Sequence, residues 1–174
     1  DALLKLKQQE LLYPCFCSRA DLHAAQAPHA SDGAYVYART CRDLSKSERE
    51  ELFKHKIPAT RIRVPHKTYA FEDKVYGQTS QNLSKLCGDF IVQRADEVFA
   101  YQLAVVVDDA DMGVTEVVRG SDLLSSTPRQ LYLQDVLGFS HPIYAHLPLL
   151  VAPDGRILSK RNHDLDLGVL RDQG

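Results

Sequence analysis

The chain has 174 residues, enough to bury a substantial core in one domain or in one domain with an insert. A quarter of it is charged, and a formal net charge of -2 excludes a globally basic nucleic-acid binder while permitting a local basic surface. No apolar run approaches the roughly 20 residues of a membrane span, and Asp1-Ala2-Leu3-Leu4-Lys5 lacks the basic start and cleavage site of a signal peptide.

Four cysteines without a secretion signal argue for a reducing compartment, the cytoplasm, where metal binding is favoured over disulfides. The chain starts without methionine and ends at Gly174 without an obvious terminator, so it reads as a piece of a longer protein.

Leucines at 3, 4, 6, 11 and 12 behind Asp1 predict the end of an amphipathic helix, stopped by Tyr13-Pro14. Cys15-Phe16-Cys17 follows, then a short helix over Ala20 to Gln26 and a loop over Ala27 to Gly33. Tyr35-Val36-Tyr37 resumes extended structure, with Cys41 four residues after Tyr37 and 24 after Cys17. Two thiolates one residue apart can hold one ion from a tight turn, and a distant third closes the loop. Tyr37, His23, His29, Asp43 and Cys87 all have the chemistry of a fourth ligand. The alternative is three cysteines buried in the core of an insert. Exposed Cys-x-Cys without a metal is reactive, which favours the metal.

Leu44 to Lys56 opens with two overlapping capping boxes, Ser45…Glu48 and Ser47…Glu50, and is ended by Pro58. Ala59 to Val64 alternates as a half-exposed strand, in the most basic part of the chain: Lys54, His55, Lys56, Arg61, Arg63, His66 and Lys67. A solvated polar face is favoured there over a phosphate-backbone contact. Thr68 to Tyr76 reads as a hairpin turning at Glu72-Asp73, Gly77 to Ser84 as a polar loop, and Cys87 as a core cysteine ahead of a strand over Asp89 to Arg94.

Ala100 to Asp109 is ambiguous. Leu103 to Val107 passes for a buried strand, whereas a helix stacks Tyr101, Val105 and Asp108 on one face. Asp108-Asp109 suits structural capping, with cation or ligand contact as alternatives. Val114 to Arg119 is a strand that ends on arginine and opens into Gly120-Ser121-Asp122. An arginine at the carboxyl end of a strand, followed by a helix start, suits a pocket for something small and anionic, with Tyr101 pointing at the same spot. Gly120 to Gly138 is helical, with a new N-terminus at Ser126-Thr127-Pro128, and Ile143 to Val151 is a strand. A turn over Ala152 to Gly155, a short basic loop at Ile157-Leu158-Ser159-Lys160-Arg161 and a helical pattern over Asp164 to Leu170 follow.

Tyr101 to Asp109, Val117-Val118-Arg119-Gly120-Ser121-Asp122 and Ser126 to Gln130 together resemble the second half of the catalytic domain of glutamyl-tRNA synthetases. Leu158-Ser159-Lys160-Arg161, after a strand and about 40 residues beyond Arg119, resembles that family's KMSKS loop. Within the family the chain looks most like the short paralogues, the glutamyl-Q tRNA(Asp) synthetases. Cys15-x-Cys17 with Tyr37-x-x-x-Cys41 matches their zinc site, the insert before Asp89 is short, and Asn162-His163-Asp164-Leu165-Asp166-Leu167 suits them.

The resemblance implies an α/β fold: the second half of a class I Rossmann-like catalytic domain with a small zinc-containing α+β insert. It divides the chain into 1–14, the end of the first catalytic half, 15–88, the zinc-binding insert, and 89–174, the second half. It implies glutamate contacts at Tyr101 and Arg119, ATP contacts at Ile157, Leu158, Ser159, Lys160 and Arg161, and zinc ligands Cys15, Cys17, Tyr37 and Cys41. Lys160 is the catalytic residue, supplying positive charge where the α-phosphate becomes more negative. The helical form of Ala100 to Asp109 follows from the same resemblance.

The implied activity is ATP- and Mg2+-dependent activation of glutamate and its transfer to queuosine at the wobble position of tRNA(Asp), by a cytoplasmic, membrane-independent monomer. The 174 residues contain no His-x-Gly-His, which the resemblance places before Asp1, so this piece alone is expected to have little activation activity. The competing readings are a catalytic fragment of a glutamyl-tRNA synthetase and a non-catalytic zinc-containing tRNA-binding module.

Overall fold

The structure is a computed structural model, and it describes residues 1–18, 20–21, 36–151, 156, 158, 168 and 171. Helix α1, Ala2–Gln8, has Asp1 at its N-cap position, although no side-chain bond is made there, and it buries Leu6. It ends before the expected Tyr13-Pro14 stop. Those two residues lie instead in strand β1, Leu12–Cys15, whose neighbours place it at the edge of a three-stranded antiparallel sheet of order β1-β2-β5. An edge strand tolerates proline because one of its sides needs no ladder hydrogen bond. Strand β2 is Ala59–Ile62 and β5 is Phe90–Gln93.

Helix α2, Lys46–Phe53, begins with the predicted box: Ser45 Oγ accepts from the Glu48 N–H at 3.3 Å, and the Glu48 carboxylate accepts from the Ser45 N–H at 2.7 Å. Of the earlier insert, Ala20 and Asp21 are helical, Val36–Arg39 form no strand, and the remainder of the predicted helix and loop lies outside the described residues.

The second sheet has the order β4-β3-β7-β6. The hairpin expected within Thr68 to Tyr76 is instead a longer one, of strands β3, Thr68–Asp73, and β4, Gly77–Asn82, with its turn at Lys74 to Tyr76. Asp73 sets the turn by accepting the N–H groups of Val75 and Tyr76 at 3.0 Å each. The polar stretch expected to be a loop is strand β4. Its Gln, Thr and Ser residues suit an outer strand that has solvent along one edge. A short helix α3, Leu83–Leu86, leads to β5.

The ambiguous run is helix α4, Tyr101–Asp111, which buries Leu103 and Val106, three positions apart on one face. Strand β6, Glu116–Gly120, then runs through a 3-10 turn at Ser121–Ser126 into helix α5, Thr127–Leu137. Pro128 sits in its first turn, and Gly138 ends it at φ 73°, a left-handed conformation open to glycine without a Cβ clash. Strand β7, Ile143–Leu147, returns parallel to β6, so β6–α5–β7 is a crossover unit.

Leu6, Ile62, Val64, Val92, Leu103, Val106, Leu131, Leu133 and Leu137 share one core. Tyr13, Cys15, Phe16, Tyr37 and Cys41 make a second, smaller one. The three-stranded sheet joins residues on both sides of positions 14 and 88, and the four-stranded sheet joins residues on both sides of 88. No helix among the described residues is long and apolar enough to cross a membrane.

Candidate metal centre and active site

Cys15 ends β1, Cys17 follows after one residue, and Cys41 closes from beyond the insert; their sulfur atoms all lie within 4.8 Å of one another. The Cys17 and Cys41 Sγ atoms are 3.5 Å apart. Tyr37 Oη lies 3.5 Å from Cys15 Sγ and 3.9 Å from Cys17 Sγ, and it accepts the Cys41 N–H at 2.7 Å. A tetrahedral ion with metal–sulfur distances near 2.3 Å sets thiolates about 3.8 Å apart, so this donor set fits zinc.

Of the other fourth-ligand candidates, Asp43 is 84% exposed and faces Arg63 at 3.7 Å. Cys87 belongs to the main core. His23 and His29 lie outside the described residues.

Arg61, drawn from the sequence as one of a solvated basic set, is 5% exposed. Its guanidinium stacks 3.7 Å above the Tyr37 ring, its Nε donates to Cys15 Sγ at 3.1 Å, and its Nη1 donates to the Asp89 carbonyl at 2.8 Å. Asp89, fully buried, is itself held by Arg42 at 2.9 Å, the Tyr13 hydroxyl at 2.8 Å and the Val64 N–H at 2.7 Å.

Burial opposes a Cys15 thiolate, but the charge of Arg61 and the bonds from Tyr37, Arg61 and Cys17 outweigh it and lower the pKa. Burial and the neighbouring Cys15 and Cys41 push Cys17 up to about 12, and burial, with the Cys15 bond, raises Tyr37 as well. Three thiols and a phenol gathered in one buried site are a set that a divalent cation deprotonates on binding.

The rest of the basic stretch is satisfied locally. Lys54 and His55 pair with Glu51 at 2.5 and 3.3 Å, and Lys67 pairs with Asp135 at 3.2 Å.

The second cluster gathers at the carboxyl ends of three parallel neighbours. Register sets Arg119 of β6 opposite His146 of β7, and β7 runs beside Asp73, the last residue of β3. Arg119 donates from Nε to His146 Nε2 at 2.9 Å, and from Nη2 to Thr127 Oγ1 at 2.8 Å and the Leu123 carbonyl at 3.4 Å. Its guanidinium lies 5.3 Å from the Tyr144 ring centroid. Burial lowers the Arg119 pKa, while Tyr144, Tyr101 and Asp109 act the other way, Tyr101 also through a hydrogen bond. Tyr101, at the start of α4, is 53% exposed. Tyr101 and Arg119 therefore meet, with Asp109 close enough to act on the same guanidinium. Asp109 is itself raised by burial, lowered by Arg119 and raised by Asp108.

Of the predicted ATP-contacting loop, only Leu158 is described, its N–H donating to the Leu150 carbonyl at 3.3 Å; Ile157, Ser159, Lys160 and Arg161 lie outside the described residues.

Asp73, His146, Arg61 and Asp89 were not singled out from the sequence as site residues. Period-2 patterning carried a signal for two of them. Tyr69, Phe71 and Asp73 share one face of β3, and Tyr144 and His146 one face of β7, so both polar residues continue buried aromatic rows.

Residues 3–174 match the family model of tRNA synthetases class I (E and Q), catalytic domain. The chain is 50% identical over 173 residues to a glutamyl-Q tRNA(Asp) synthetase of Geobacter sulfurreducens, covering 98% of this chain and 53% of that protein. It is 50% identical over 161 residues to another from Neisseria meningitidis serogroup C, covering 92% and 53%. The chain thus spans about half the length of the curated relatives it matches. The crystal structure of a glutamate-tRNA synthetase from Elizabethkingia anophelis superposes with a TM-score of 0.74 at 25% identity, covering 93% of this chain and 35% of that one.

Proposed function

Because the chain belongs to the family of class I tRNA synthetases (E and Q), catalytic domain, we propose that it contributes half of a site that activates glutamate with ATP and Mg2+ and transfers it to queuosine at the wobble position of tRNA(Asp). The single observation that carries this reading is the Arg119 fork at the carboxyl end of β6, half-buried, held by His146 and Thr127 and close enough to Tyr101 to feel it. A guanidinium stays charged and holds its donors in fixed directions, so the Nη1 hydrogens that Arg119 keeps free can be aimed at a carboxylate in a way that a lysine cannot reproduce.

Activation joins an α-carboxylate oxygen of glutamate to the α-phosphorus of ATP and expels pyrophosphate. That carboxylate must stay nucleophilic, so Arg119 with Tyr101 is better matched to the side-chain carboxylate, which distinguishes glutamate from glutamine. Lys160, with Ile157, Leu158, Ser159 and Arg161 around it, supplies charge to the ATP phosphates as they become more negative. Cys15, Cys17, Cys41 and Tyr37 hold a structural zinc ion, which fastens the insert to β1 and takes no part in the chemistry. Identity of 50% to two glutamyl-Q tRNA(Asp) synthetases favours the queuosine acceptor. Structural likeness to glutamate-tRNA synthetases favours a second reading, the same activation with a tRNA 3′ end as acceptor.

Glutamate-dependent ATP–pyrophosphate exchange by the product of the whole open reading frame, with and without tRNA, tests both. Exchange without tRNA, and radiolabelled glutamate recovered in the anticodon fragment of tRNA(Asp), supports the first. Exchange only with tRNA, and label at the 3′ end, supports the second. Absence of exchange under both conditions would leave a non-catalytic tRNA-binding module.

A further inference from the structure

We propose that Asp73 and His146 are positioning residues for the Arg119 fork, an assignment that rests on the glutamate-activation reading above. Arginine has five N–H donors and no acceptor. Its Nε–H points at His146 Nε2 at 2.9 Å, so that nitrogen must carry a lone pair and the imidazole must be neutral, with its proton on Nδ1. Nδ1 lies 2.6 Å from Asp73 Oδ2, the partner that holds the proton there. Asp73 is fixed in turn by the N–H groups of Val75 and Tyr76 at 3.0 Å and of His146 at 3.2 Å.

Both side chains are sealed from water, Asp73 at 1% exposure and His146 at 0%. The imidazole therefore cannot exchange either contact for solvent. A fixed Nε, with Nη2 held by Thr127 and Leu123, leaves the guanidinium plane one orientation and directs the two Nη1 hydrogens. The three side chains sit on adjacent parallel strands, so each strand contributes one member of the chain of bonds.

The competing account is structural glue: Asp73–His146 ties the β3–β4 hairpin to β7 and leaves the ligand untouched. Two substitutions at one position separate the accounts. His146→Gln can present an amide oxygen to the Arg119 Nε–H and an N–H to Asp73. His146→Asn can keep the bond to Asp73 but is too short to accept from Arg119. Losing one hydrogen bond to a charged group costs about tenfold in affinity.

In pyrophosphate exchange by the full gene product, His146→Asn should raise the glutamate KM about tenfold or more, with the ATP KM unchanged and the inhibition constant of glutamine nearly unmoved. His146→Gln should stay within about threefold of the parent. Asp73→Asn, which frees the imidazole proton to move to Nε2 and oppose the Arg119 Nε–H, should raise the glutamate KM in the same selective way, and it serves should the 146 variants fail to fold.

Equal glutamate KM values for the Asn and Gln variants, or an Asp73→Asn enzyme with lowered melting temperature and parental KM, would overturn the proposal. Arg119→Ala is the control on the underlying reading: if it too leaves the glutamate KM unchanged, the assignment of Arg119 to glutamate falls, whereas a large rise with silent Asp73 and His146 variants sinks only the positioning role.

Discussion

Arg61 and Arg119 have the same surroundings in outline and opposite uses. Each projects from a strand, lies over a tyrosine ring and directs Nε at a single acceptor. What differs is how far each guanidinium is closed off. Arg61 meets the Cys15 sulfur, whose pKa it lowers, 3.1 Å away, and the Asp89 carbonyl, in a place that is 5% exposed. Arg119 is half-buried and meets an imidazole, a threonine hydroxyl and a carbonyl, and among the described residues no carboxylate forms an ion pair with it. Its nearest negative charge along the bond network, Asp73, stands one imidazole away. A chain can thus enclose one arginine as structure and leave another open to an anion through how deeply each is buried.

The comparison breaks most visibly at Arg61. Arg61→Ala leaves the Cys15 sulfur and the Asp89 carbonyl without their donor, and a buried polar group left without its partner costs about 1–3 kcal/mol. Urea denaturation should show that loss, and the purified variant should bind zinc more weakly in a chelator competition, while the folded fraction keeps its glutamate KM. A change in glutamate KM without a change in zinc affinity would mean the two arginines are not separated in this way. Arg119→Ala is the converse. It should lower kcat/KM for glutamate about a hundredfold or more, the scale for truncating one side of a charged hydrogen-bonded contact, with zinc content and urea midpoint close to the parent.

How much of this could be read in the sequence depended on whether local or long-range contacts set the outcome. The Ser45 box and the Pro128 and Gly138 bounds of α5 are local signals, and all were legible. A hairpin was legible from Thr68 onward, but both its turn and its second strand were misplaced because an acidic Glu72-Asp73 step looks like a turn tip, whereas Asp73 is the buried end of β3. Polar β4 was mistaken for a loop, since an edge strand gives no alternating apolar signal. Arg61 was placed in a solvated face because nothing near it in sequence indicates that Cys15 and Tyr37 fold over it; those partners are 46 and 24 residues away. Convergence of Cys15, Cys17 and Cys41 was legible in their spacing and that of Tyr101 with Arg119 in the strand-end pattern, whereas the choice of Tyr37 among the fourth-ligand candidates came only from the resemblance.

The held-off charge of Asp73 yields a smaller effect with a defined sign. Burial works against its ionised form, but bonds from His146 and from the N–H groups of Tyr76, Val75 and His146 outweigh it and hold the carboxyl at about 2 against an ordinary 3.8. Because the folded value is the lower one, the stabilisation is fully present above pH 4 and is lost as pH falls toward 2. Its size is about 2 kcal/mol by linkage. Unfolding free energies measured between pH 5 and 2 should fall less steeply for Asp73→Asn than for the parent; parallel curves would show that the fold does not lower the Asp73 pKa.

The smallest effect concerns the fourth cysteine, and it tests where the metal centre stops. Cys87 is buried like Cys15 and Cys41, yet it belongs to the main core, and its sulfur faces the Leu83 and Gly88 carbonyls at 3.4 and 3.3 Å. The next residue approaches the centre more closely: Gly88 holds φ 61°, and a Cβ there would come within 3.0 Å of the Tyr37 carbonyl oxygen. Cys87 is therefore a small apolar filler beside a tight backbone crossing. Cys87→Ala should cost only about 1 kcal/mol, the scale for removing one small buried group, and leave one zinc per chain by atomic absorption. Cys41→Ser, by contrast, removes one of the proposed ligands and should lower zinc affinity sharply. If Cys87→Ala lost the metal while Cys41→Ser kept it, the ligand set proposed from Cys15, Cys17, Tyr37 and Cys41 would be wrong, and the role assigned to Arg61 with it.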